Sequence, residues 1–314
     1  MKNLLQRIAN LPVGVVATTV GAATLSNVYA GYGFTFIRHF TMGVGFLVLT
    51  AMLYKIIRHA SVFTEEYKTV IPSSLYATVT MLTMILGSYV FEISELIGRS
   101  LWFVAVVLHI GHILVFTYRH VLRGIKLETF VPSWFVTYNG LLVSAVIGGA
   151  MNANALLQAI VWYGIAALTV IMPFMVYRLL KRPLPTPLYP TLAITLAPSS
   201  LCLVGYLNVM PTLNATLIYV LYALVLIALV VIIINIPRFF KQAFNPGFAA
   251  LTFPMAIGLV ASTKMAGYLT AQNLTEQAAL VTNISGVQLV LTTTIVSFVA
   301  FNFLRLLRVE PSAT

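Results

Sequence analysis

Apolar residues in this chain come in long blocks, and polar residues are confined to short breaks between them. Ten blocks can be marked, at about 11–30, 34–57, 72–91, 98–119, 132–151, 154–177, 188–208, 213–236, 246–270 and 278–305. Each offers the roughly 20 residues that a helix needs to cross the ~30 Å hydrocarbon core of a bilayer. The pattern predicts an all-α integral membrane protein of ten crossings. It forms one membrane domain over 1–314, with about 11–305 embedded and short cytoplasmic termini.

The breaks carry a second pattern. Prolines open every odd-numbered block, at Pro12, Pro72, Pro132, Pro190 and Pro246, at intervals of 60, 60, 58 and 56 residues. In the first turn of a helix the missing N–H of proline costs nothing, so the step reads as five copies of one helical hairpin. A unit of two crossings keeps its orientation from copy to copy, so five of them are related by an axis along the membrane normal and can close around a central pore. The odd blocks also hold most of the glycines and hydroxyls, whereas the eighth is plain aliphatic, LIYVLYALVLIALVVIIINI. Small residues permit close helix contact, which assigns the odd helices to an inner ring. A solid ten-helix bundle, with small residues serving packing alone, would have the same composition.

Composition and charge then narrow the picture. With 60% hydrophobic and 8% charged residues, no water-soluble surface can be built, and the net charge of +11 has to be read by position. Placing the N-terminus in the cytoplasm puts fifteen of the eighteen lysines and arginines, from Lys2 and Arg7 through Lys55 to Arg305 and Arg308, on the inner side. Only Arg38, Arg99 and Lys264 fall outside. That bias predicts a multi-pass protein of the cell membrane, both termini cytoplasmic, with no nucleic-acid partner. The basic head and apolar body of the first 30 residues resemble a signal peptide, but the stretch belongs to the repeat and is expected to be retained.

The inner blocks contain no Asp, Glu, Arg, Lys or His until Lys264. Cation paths need acidic rings or ordered carbonyls, and proton-coupled carriers commonly keep a carboxylate or histidine at membrane depth. An uncharged bore with hydroxyls suits an anion that must pass without sticking. Thr18, Thr78, Thr137, Ser199 and Gly258 are its candidate lining, and Pro198 and Pro254 its candidate kinks. Phe253, beside Pro254, would project into whatever space the bend borders. Lys264 either gathers anions at the outer end or snorkels at the lipid interface. Without a fixed charge inside, dehydration decides among anions, so nitrate or iodide should pass at least as well as chloride.

Other constellations carry less. His109 and His112 lie on one face of the fourth helix and could form a metal or haem ligand pair; packing or hydrogen bonding on an outer helix is the plainer reading. Glu92, Glu95 and Arg99 form a polar cluster outside, and KIIRHASVFTEEYK reads as a connecting loop that could lie on the membrane surface. Cys202 is the single cysteine, so no intramolecular disulfide forms. No phosphate-binding loop, zinc-spaced set or nucleophile elbow is present, which argues against an enzyme, a cofactor or a metal.

Four stretches carry a resemblance: LPVGVVATTVGAATL, ETFVPSWFVTYNGLLVSAVIG at Glu128 to Gly148, LAPSSLCLVGYL and LTFPMAIGLVASTK. Over nearly its whole length the chain resembles the tellurite-resistance/dicarboxylate transporter family, TehA-like and similar to the plant slow anion channels. The resemblance implies five hairpins around a pore in each subunit, usually in a homotrimer, with a phenylalanine of the ninth helix plugging the pore. The matching position is Phe253. The long tails of the plant members are not expected, so control by phosphorylation is not implied. The expected function is an anion channel for small monovalent anions, closed by Phe253. The alternative is a secondary transporter or exporter of malate-like dicarboxylates or sulfite, coupled to protons.

Overall fold

In the computed structural model, which describes residues 7–308, helix stands at each of the ten apolar blocks. We number the α-helices in chain order: α1 Gly14–Gly31, α2 Thr35–Arg58, α3 Ala60–Lys68, α4 Val70–Phe91, α5 Glu95–Thr117, α6 Trp134–Tyr138, α7 Val143–Ile147, α8 Asn154–Lys181, α9 Leu196–Val209, α10 Ala215–Phe239, α11 Thr252–Ala271 and α12 Thr275–Arg308. Lys2 lies outside the described residues, as does the side chain of Arg308.

Among the described residues, eight helices are long and apolar enough to cross a membrane. They are α2, α4, α5 with its extension to Leu122, α8, Thr186–Val209, α10, Pro246–Ala271 and α12 to Leu307. The count of ten crossings therefore stands at eight by length and hydropathy. The first block falls short because α1 is built largely from alanine, glycine and threonine. The fifth is broken, where one continuous helix was expected over 132–151. Here α6 gives way to a 3-10 turn at Gly140–Leu142, α7 follows, and a second 3-10 turn runs over Gly149–Met151. Asn139, Gly140, Gly148 and Gly149 are weak helix formers at these joints.

Prolines shape two further elements. The seventh and ninth blocks open as 3-10 helix, at Thr186–Thr195 and Pro246–Leu251, before turning into α9 and α11. Pro198 and Pro254 are each the third residue of the α-helical part. They mark a change of helix type in the first turn, where a proline breaks no α-helical bond, in place of a mid-helix kink. The segment after α2, read as a loop, is the nine-residue helix α3.

Burial separates the helices into two classes. In α4, Thr186–Val209 and Pro246–Ala271, between 67% and 78% of the most apolar stretch is buried, against 22% to 33% in α2, α5, α8, α10 and α12. Twelve of the eighteen residues of α1 are buried as well. The buried segments touch in sequence: α1 packs on α4, α4 on α6 and α7, α7 on α9, α9 on α11, and α11 returns to α1. Each also packs on the helix that follows it, as α1 on α2 and α11 on α12. Glycine sets the closeness of one such pair. A Cβ on Gly98 of α5 would lie 2.6 Å from the carbonyl oxygen of Gly87 in α4 and closer still to the Phe91 backbone.

Candidate functional site

The five buried segments leave two adjoining spaces between them. The smaller is a cavity of about 30 Å³, walled by Ala17 of α1, Leu75, Thr78 and Met81 of α4, Phe135 and Val136 of α6 with Gly140, Ile194, Ala197 and Leu201 of the seventh block, and Ala249, Ala250, Phe253 and Pro254 of the ninth. Room for one or two waters is all such a volume allows. Its wall holds no charged residue and one hydroxyl side chain, Thr78.

Phe253 is in this wall and is 8% exposed. Its backbone is held against α1 by the absence of a side chain there, since a Cβ on Gly21 would lie 2.7 Å from the Phe253 nitrogen. Thr252 Oγ1 donates to Ala249 O at 2.8 Å, with Ala17 O of α1 at 3.4 Å. Pro254 and Pro198, each in the first turn of its α-helical part, have no N–H to donate. Phe253, beside Pro254, thus lies at the 3-10-to-α change of the ninth block.

The larger space, about 300 Å³, opens at the end where the prolines begin each buried segment. Pro12, Val13 and Gly14, Ile71 and Pro72, Ser133, Pro187, Leu188 and Thr191, and Asn245, Pro246 and Gly247 line it, together with Glu66. Leu75 and Ala250 belong to both walls, so the two spaces adjoin. Glu66 is accounted for on every side. Fully buried Lys55 reaches its two oxygens at 2.7 and 2.9 Å and also donates to Leu11 O at 2.8 Å, and the Tyr76 hydroxyl donates at 2.5 Å.

Of the residues singled out from the sequence, Phe253, Pro254 and Thr78 meet at the small cavity. Pro198 is one residue from its wall. Thr18, Thr137, Ser199 and Gly258 are buried but outside it. Thr18 donates to Gly14 O at 2.9 Å, Thr78 to Leu75 O at 2.7 Å and Ser199 to Leu196 O at 3.4 Å, so these hydroxyl protons are spent on their own helices. Gly258 makes room for Leu196, whose Cδ2 would be 2.7 Å from an added Cβ. Lys264 is exposed. At 3.6 residues per turn it lies on the same face as Phe253, three turns on. Along that face Phe253 and Ile257 are buried, Val260 is half-buried and Lys264 is exposed, so burial falls along the face toward Lys264.

Thr137 instead meets the histidines. His109 Nε2 donates to its carbonyl at 3.0 Å and His112 Nε2 pairs with its hydroxyl at 3.2 Å. Their Nδ1 atoms pair with Thr80 Oγ1 and Tyr67 Oη, both at 2.6 Å. All four ring nitrogens are thus in hydrogen bonds that tie α5 to α4, α6 and α3. Burial pushes the Tyr67 phenol on α3 up from its ordinary value. Among the described residues no group of three or more His, Cys, Asp or Glu could hold a metal ion.

Ser133, Glu66, Lys55 and Gly21 were not singled out from the sequence as site residues. One signal for Ser133 was available: the residues after the repeat prolines are Val13, Ser73, Ser133, Thr191 and Gly247, and four of them line the larger space. A family model described as voltage-dependent anion channel, SLAC1, matches residues 10–307. No curated protein matches the chain.

Proposed function

The chain belongs to the SLAC1 voltage-dependent anion channel family, a family of membrane channels and transporters, and from that premise we propose that it conducts small monovalent anions through a bore between its five buried segments. The single observation that supports this most is the uncharged cavity to which all five segments contribute and whose wall includes Phe253. In this reading ten crossings form five hairpins, α6 and α7 with their 3-10 turns serving as the fifth crossing. Phe253 is the gate. The bore narrows from the 300 Å³ vestibule to the 30 Å³ cavity, so an anion must shed most of its water to pass.

An apolar constriction does not trap an anion, and the positive field of Lys264 at its outer end raises local anion concentration. The excess of basic residues at the vestibule end supports an orientation in the cell membrane with that end and both termini on the cytoplasmic side. An inside-negative potential then drives a monovalent anion outward with about 2.3 kcal/mol per 100 mV. The subunits assemble as a homotrimer, a proposal resting on the family alone.

Reversal potentials of the reconstituted protein under chloride, nitrate and malate test this reading. A channel gives currents that reverse at the anion equilibrium potential and ignore a pH gradient. Reversal that moves with the pH gradient would replace the channel by a proton-coupled carrier.

A further inference from the structure

On the outer face of the molecule, α5 with the segment that follows it stands apart from α8 and leaves a groove of about 810 Å³. Trp134 and Tyr138 of α6 form its floor, and the exposed Val170, Phe174 and Tyr177 on its α8 side leave it open laterally. Along α8 it runs from Tyr163 to Tyr177, which at 1.5 Å per residue is about 21 Å, enough to cover the ~15 Å hydrocarbon depth of one leaflet. The polar groups of the floor are spent on the protein. Trp134 Nε1 donates to Thr129 O at 2.8 Å, and the Thr117 and Tyr138 hydroxyls pair with each other at 2.9 Å. Such a surface suits a hydrocarbon chain better than a polar ligand.

One end of the groove is basic. Ile125, Leu127 and Tyr177 mark that end. Lys126 stands between the first two in the chain, and Lys181 Nζ lies 5.9 Å from the centre of the Tyr177 ring. Arg178 Nε donates to Leu127 O at 3.3 Å and Arg182 pairs with Glu128 at 2.6 Å, which brings the two lysines to one mouth. Both lysines are exposed, and among the described residues neither is in an ion pair, the neighbouring carboxylate being taken by Arg182. An apolar slot one leaflet deep with two positive charges at its mouth is complementary to a lipid with an anionic head. A second copy of the chain is a poorer match. Of its seven carboxylates, Glu65, Glu66, Glu92, Glu95 and Glu128 are in ion pairs within the chain, Glu276 is in the first turn of α12 at the opposite end, and Glu310 lies outside the described residues.

We propose that this groove binds one anionic phospholipid, its acyl chain laid against Trp134 and Tyr138 and its phosphate between Lys126 and Lys181. The site rests on the chain's place in a membrane and is independent of what the chain conducts. Phe135 and Val136 of the same short helix line the small cavity, so the lipid backs the element whose other face walls that space.

Tryptophan quenching tests the proposal. The chain has three tryptophans, of which Trp162 is exposed and Trp102 fully buried. Trp162→Phe protein is reconstituted in phosphatidylcholine bilayers, and phosphatidylglycerol brominated on its acyl chain is added in increasing proportion, with brominated phosphatidylcholine as the comparison. The groove signal is the quenching that a further Trp134→Phe substitution removes. A lysine beside an anionic head corresponds to roughly fivefold in affinity, so phosphatidylglycerol should half-quench Trp134 at a proportion about tenfold or more below that of phosphatidylcholine. Lys126→Gln combined with Lys181→Gln should abolish this difference, and Ala167→Phe, which fills the groove, should prevent quenching by both lipids. The two surface lysines keep the test decisive where Ala167→Phe protein does not fold. Equal quenching by the two lipids, unchanged by loss of the lysines, overturns the anionic site. Absence of Trp134 quenching by either lipid overturns it as well and leaves the groove to a second copy of the chain.

Discussion

Lys55 reads in the sequence as one of many basic residues at the inner rim, where hydration would cost it nothing. It is instead fully buried, with a carbonyl and both oxygens of Glu66 as partners. The sequence carries the sign of the charge but not the partner, because Glu66 lies on α3, a stretch too short and polar to announce its helix. Removing Lys55 leaves Glu66, whose side chain is 32% exposed, with Tyr76 as its remaining donor, at a cost of about 1–3 kcal/mol. Lys55→Met should therefore lower stability by that order in unfolding measured in detergent, and Lys55→Met combined with Glu66→Gln should lose less than Lys55→Met alone. The histidines follow the same logic: their shared face was legible from the spacing of three, whereas the Thr137, Thr80 and Tyr67 partners come from other elements. Outside the bilayer, the Arg38 guanidinium holds the Glu92 carboxyl below its usual range.

Among the elements, the clearest sequence signal was the proline at the start of each odd-numbered block, because its effect on the first turn is local. The two mid-block prolines were read as kinks, and they became 3-10-to-α junctions because the prolines fall in the first α-helical turn. The break in the fifth block was marked in the sequence only by weak helix formers at Asn139–Gly140 and Gly148–Gly149; the His109 bond to the Thr137 carbonyl at the end of α6 joins distant parts of the chain and was not legible. Glycines were visible as packing residues, but which one matters most was not. Gly21 touches the Phe253 backbone, so Gly21→Ala forces α1 away from α11 at the cavity. Overpacking of this kind costs about 1–3 kcal/mol, and Gly21→Ala should lower the thermal midpoint in detergent. Gly31→Ala, with nothing within 4 Å of an added Cβ, should leave it near native.

For the whole molecule, the separation into more and less buried helices was foreseeable, since small residues and the proline spacing both select the odd blocks. The narrowness and apolarity of the central space were not. The sequence suggested a bore rich in hydroxyls, but the threonine and serine protons there are largely donated to their own helices, leaving one hydroxyl side chain in the cavity wall. An uncharged constriction with room for only one or two waters selects by dehydration more strongly than a hydroxyl-lined one, which favours weakly hydrated anions. In the proposed reading the gate is one aromatic side chain in the wall of the 30 Å³ cavity. Anion conductance of Phe253→Ala protein in reconstituted bilayers, compared with the native chain, tests this most directly. The account predicts a several-fold rise, with nitrate and iodide passing at least as well as chloride; unchanged conductance in a variant of native thermal stability would contradict it.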